Sequence, residues 1–183
     1  MKTVPSILVL MLVIIGISSC SDKNSLHNYI LDNAEKIGFS SSTIPISSIK
    51  GQGLELTEKQ EEAFNAIERV NVLVYQVNQE KKEEFTAEKA KIKSILKQSK
   101  YEELVNLGSK GLIKFVGEEE AIDEIVIFVA NKEMGFAVTR IVGDDMTMNK
   151  FMELYQMASQ DNFSGVKLNL GGLTDLVAPI STK

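Results

Sequence analysis

Ile122-Asp123-Glu124-Ile125-Val126-Ile127-Phe128-Val129-Ala130 carries five large apolar residues in a row, all of them β-branched or aromatic. Such a run is too short for a helix of typical length and is apolar on both of its faces, so it reads as the most buried strand of a sheet. Two further strand candidates flank it, Leu112 to Val116 and Gly135 to Val142. They are joined to it only by Gly117-Glu118-Glu119-Glu120 and by Asn131-Lys132-Glu133. Connectors of that length cannot hold a crossover, so the three strands form an antiparallel meander.

Working outward, Val70 to Val77 places Val72 and Val74 on one face and Leu73, Tyr75 and Val77 on the other, which predicts a strand covered on both sides. Thr57 with Gln60 forms a capping box for a helix whose apolar face is Ala63, Phe64, Ile67 and Val70. Phe85, Ile92, Ile95 and Leu96, set among lysines and glutamates, predict an exposed amphipathic helix from Phe85 to Gln98, followed by a second short segment from Tyr101 to Leu107. Gly143-Asp144-Asp145 is expected to end the last meander strand and open a helix lined by Met148, Phe151, Met152, Tyr155 and Ala158. Nearer the start, Leu26, Tyr29, Ile30, Asn33 and Ile37 predict a short helix, and Ile44 to Ile49 an edge strand. The expected fold is α+β, an antiparallel-dominated sheet of about four to five strands with helices packed on it.

The first twenty residues belong to a different physics. Met1-Lys2-Thr3 precedes an apolar run from Val4 to Ile17 and then Ser18-Ser19-Cys20, the plan of an export signal. As a helix the run is about 21 Å long, short of the roughly 30 Å that a permanent span must cross. Ile17-Ser18-Ser19-Cys20 resembles the lipobox of bacterial lipoproteins, which implies acylation of Cys20 after cleavage before it. Cys20 is the only cysteine. Ser21, in place of aspartate, favours the outer membrane, and a lone Asp22 favours its periplasmic face over the cell surface. The expected organisation is a removed signal at 1–19, a lipidated tether and short helix at 20–42, an α+β domain at 43–160 and a tail at 161–183. In that tail Val166, Leu168 and Leu170 alternate with polar residues and predict an extra strand.

Removing 19 of the 183 residues leaves 164, enough for one domain with a substantial core. The net charge of −5 argues against nucleic acid as a partner. With no cysteine beyond Cys20, disulfides and thiolate metal sites are excluded. His27 is the only histidine and sits beside the tether, so no triad or histidine metal cluster can form. Ser94-Ile95-Leu96-Lys97 has the serine-lysine spacing of penicillin-recognising enzymes but lacks their companion motifs. Asp144 and Asp145 with Glu133 or Glu118 to Glu120 lack the regular spacing of a calcium loop, and read as helix capping and solvated turns. No catalytic residue, cofactor or metal is expected. Met146, Met148, Met152 and Met157 read as core filling on the last helix.

Tyr101-Glu102-Glu103-Leu104-Val105, Ile113-Lys114-Phe115, Glu124 to Val129, Phe136-Ala137-Val138 and Ile141-Val142-Gly143-Asp144 together resemble domain-of-unknown-function family 4252. The resemblance runs from about Ile44 to Met157 and implies a small bacterial lipoprotein typical of the Bacteroidota, with no enzyme activity, cofactor or catalytic residue to carry over. The expected function is a non-enzymatic binding, sensing or scaffold module of the cell envelope, held to the membrane through Cys20 and able to take a protein partner. The alternatives are a periplasmic carrier or chaperone for apolar cargo, and a carboxylate-based hydrolase.

Overall fold

The apolar run at Ile125 to Val129 lies near the middle of a six-stranded sheet in a computed structural model that describes residues 24–46, 55–77 and 82–159. The elements, in chain order, are α1 (Leu26–Asn33), β1 (Phe39–Pro45), α2 (Glu58–Asn65), β2 (Ile67–Gln76), α3 (Lys82–Ile95), β3 (Glu102–Asn106), β4 (Gly111–Glu118), β5 (Ala121–Asn131), β6 (Gly135–Met146) and α4 (Met148–Ser159). The sheet order is β1-β2-β6-β5-β4-β3, and every pairing is antiparallel. Phe128 faces Leu112 on one side and Val138 on the other, so the meander has the expected neighbours. Strand β2 closes against β6, with Leu73 opposite Val138.

Because side chains alternate along a strand, the sheet has two apolar faces and both carry helices. On one face Leu73, Tyr75, Val126, Phe128, Phe136 and Val138 pack with Leu26, Tyr29 and Ile30 of α1 and with Phe85, Ile92 and Ile95 of α3. Phe136 is the hub of an aromatic cluster there, stacked on Tyr75 at 5.3 Å and 6.0 Å from Phe128. On the other face Ile113, Phe115, Ile122, Ile125 and Met146 pack with Phe64 of α2 and with Phe151 and Met157 of α4. Thr57 caps α2 as expected, accepting from the Gln60 amide while Gln60 Oε1 accepts from the Thr57 amide.

Several expectations are corrected. The sheet has six strands, not four to five. The first strand is Phe39–Pro45, displaced toward the N-terminus from Ile44 to Ile49, so it runs across the expected boundary at residue 43. None of its residues is fully buried, because it is an edge strand, and Ser40 and Ser41 are exposed. The short helix expected before it ends at Asn33 and packs in the core, with Leu26 fully buried. Tyr101 to Leu107 contains strand β3, which pairs with β4 through a register shift. Strand β6 continues through Gly143-Asp144-Asp145 to Met146, with Asp145 in the left-handed region at φ 58°. Met146 is therefore a strand residue and not a helical one. The strand expected at Val166 to Leu170 lies outside the described residues, as does Cys20.

Candidate functional site

A cleft of about 400 Å³ opens at the outer side of the α1 and α3 layer, lined by Asn24, Tyr29, Asp32, Lys91, Ser94, Ile95 and Gln98. Its walls exist because α1 lays Leu26, Tyr29 and Ile30 onto the sheet while Ile92 and Ile95 do the same for α3, leaving the polar edges of the two helices facing one another. Ser25 sets the start of α1 by accepting from the Asn28 amide. Gln98 Nε2 then donates to the Asn24 backbone carbonyl at 3.0 Å and ties the end of α3 to the start of α1.

The floor of this contact is a buried carboxylate. Glu88, 8% exposed, accepts from the Tyr29 hydroxyl at 2.7 Å on one oxygen and from Lys91 Nζ at 2.6 Å on the other. Burial alone pushes the Glu88 carboxyl up, but the hydrogen bonds from Lys91 and Tyr29, with the charges of Lys91 and Lys36, outweigh it and hold the group below the usual carboxylate range. Tyr29 is pushed far above the ordinary tyrosine value by burial first and then by Glu88, so it stays a donor at any physiological pH. Asn33 extends the network by donating to the Tyr29 carbonyl at 2.7 Å and accepting from Lys36 at 2.9 Å. A carboxylate with both oxygens occupied and its protonation disfavoured locks two helices together; it is poorly suited to exchanging protons with a substrate near neutral pH.

On the same sheet face, a polar row crosses four strands. Asn71 Nδ2 donates to Thr43 Oγ1 at 2.9 Å, Arg140 Nη1 donates to Asn71 Oδ1 at 3.4 Å, and Arg140 Nε donates to Glu124 Oε2 at 2.7 Å. The Arg140–Glu124 pair is largely buried, with the two side chains 15% and 12% exposed. Glu124 Oε1 is buried and has no partner among the described residues. Neither this row nor the cleft network follows from a sequence motif. The one signal was an acid and an arginine inside otherwise apolar strands.

Most of the residues singled out in the sequence are dispersed, although the Glu118 to Glu120 turn lies beside the end of β6, where the Met148 amide donates to the Glu119 carbonyl. His27 is exposed on α1 and is not among the cleft-lining residues. Ser94 lines the cleft, while Lys97 is exposed beyond the end of α3. Glu133 lies in the β5–β6 turn, at the opposite end of the sheet from Asp144 and Asp145, where β6 finishes. Asp145 is held by Lys150 at 2.8 Å, and that hydrogen bond keeps its carboxyl below the ordinary range. Among the described residues no three metal-ligating side chains gather at one point, and no helix is long and apolar enough to cross a membrane. Met146 and Met157 are buried, whereas Met152 is 40% exposed.

A fully antiparallel sheet of six strands, clothed by helices on both faces, places the molecule among α+β domains. The chain belongs to the Domain of unknown function (DUF4252) family, whose profile matches residues 34–154. That match spans the whole sheet and α3 but begins after α1, so the Tyr29 side of the cleft falls outside it. No curated protein and no solved structure matches the chain.

Proposed function

We propose that this protein is a cell-envelope lipoprotein whose folded domain is held at a membrane by acyl chains on Cys20 and acts as a non-enzymatic binding, sensing or scaffold module. The observation that carries this reading is the start of the chain: a basic, apolar and small-residue signal ends on the only cysteine, five residues before the N-cap Ser25 of α1. A short polar linker between anchor and folded body is what a membrane-tethered domain requires. The outer membrane, with the domain on its periplasmic side, fits serine at position 21.

Two or more acyl chains make anchoring stable, whereas one gives only reversible attachment. Cys20→Ala therefore abolishes incorporation of a labelled fatty acid and releases the protein from the membrane fraction. If the variant is still labelled, or stays bound after a salt wash, the lipoprotein reading fails. Capture from gently solubilised envelopes tests the binding role, and the return of no reproducible partner counts against it.

A further inference from the structure

Residues 89–100, Lys-Ala-Lys-Ile-Lys-Ser-Ile-Leu-Lys-Gln-Ser-Lys, contain five lysines and no acid. They form the second half of α3 and the turn after it, directly beside the start of α1. Counting α1 with its flanks (residues 24–36) and residues 88–100, six lysines stand against three acids, Asp32, Glu35 and Glu88. These two segments are thus net positive by three, and by two once the first turn of α3, with Lys82, Glu83 and Glu84, is included, in a chain whose net charge is −5. Lys132 of the β5–β6 turn extends the patch: burial first, and then the nearby charges of Lys93 and Lys132, weaken the hold of Lys89 on its proton. The helix dipole favours cations in a final turn, but it does not reach back to Lys89 and Lys91.

We propose that this lysine face of α3 rests against an anionic phospholipid surface and sets the orientation of the domain on the membrane, an inference that depends on acylation of Cys20. Gln98 is hydrogen-bonded to the Asn24 carbonyl, and Asn24 is four residues from Cys20. Four residues span at most about 14 Å even when fully extended. The anchor therefore delivers the end of α3 and the turn after it, with Lys93 and Lys97, to the headgroup layer, where screening acts over about 10 Å at moderate salt. The opposite layer, α2 and α4, carries Lys59 and Lys150 and lies on the other face of the sheet from α1 and α3. Charge complementarity selects acidic headgroups over neutral ones, since each lysine close to such a surface shifts its local equilibrium by about fivefold.

The test uses the processed chain purified from membranes, with its mass at Cys20 measured first, then reconstituted into vesicles of phosphatidylcholine alone or mixed with phosphatidylglycerol. Amine acetylation is followed residue by residue. Lys93 and Lys97 become about fivefold less reactive in the anionic vesicles, Lys59 and Lys150 do not change, and the protection disappears at about 1 M salt, where screening shortens to about 3 Å. Equal reactivity in the two vesicle types, with the acyl mass present, overturns the proposal and leaves the lipoprotein reading standing. Protection that arises only when other envelope proteins are added assigns the lysines to an acidic protein and likewise overturns it. A missing acyl mass overturns the lipoprotein reading itself, and the orientation with it.

Discussion

Phe128 is fully buried, within 6.0 Å of the Phe136 ring, and lies on a strand whose two neighbours bury their own apolar residues against it. It is enclosed in the core cluster with Leu73, Phe136 and Val138, so truncation leaves a cavity. Phe128→Ala is expected to cost about 3 to 5 kcal/mol, read by urea unfolding of the mature chain, and a loss below about 1 kcal/mol contradicts this placement of the core. Glu88 acts through charge instead of volume. Its carboxyl titrates lower in the folded chain than the roughly 4.3 of an unfolded one, so the ionised network contributes stability above that pH and loses it as the pH falls through the folded value. Glu88→Gln should cost about 1 to 3 kcal/mol near pH 7, where it weakens hydrogen bonds from Tyr29 and Lys91, and should flatten the fall in stability on acidification. An acid limb unchanged from wild type removes Glu88 as its cause. Gly135 shows a third kind of constraint: φ is +128°, and a Cβ there would collide with the Tyr75 carbonyl oxygen, so the β5–β6 hairpin depends on the absence of a side chain.

At the scale of elements, those with strong periodicity were legible in the sequence, and those governed by pairing were not. The meander, the α2 capping box and the α3 stripe each announce themselves through side chains that must be buried or satisfied locally. Strand β1 carries Ser40-Ser41-Ser42 at an exposed edge, where nothing demands apolar residues, and only its pairing with Ser40 opposite Val74 defines it. Strand β3 is equally inconspicuous: Glu102, Glu103, Val105 and Asn106 are exposed, and Leu104 alone is half-buried. Asp144 and Asp145 look like a helix start because aspartates favour that position, yet the Asp144 amide donates to the Ala66 carbonyl and keeps the segment in the strand layer. The cleft was least legible of all, because Tyr29 and Glu88 are 59 residues apart and each looks unremarkable on its own helix.

For the whole molecule, the arrangement leaves two sheet edges: among the described residues β1 pairs only with β2, and β3 only with β4. A chain that presents such edges gains by covering one from within, since that pairing needs no second molecule. The sequence after α4 has the pattern for it, with Val166, Leu168 and Leu170 alternating with Lys167 and Asn169 before Gly171-Gly172. Removal of residues 163–183 is therefore expected to lower the urea midpoint, and amide exchange from Val166 to Leu170 in the isolated monomer is expected to be slow. If the segment serves a partner instead, the truncated chain keeps its stability and loses association. Fast exchange at those amides in the monomer, together with an unchanged midpoint, would assign the tail to that second role.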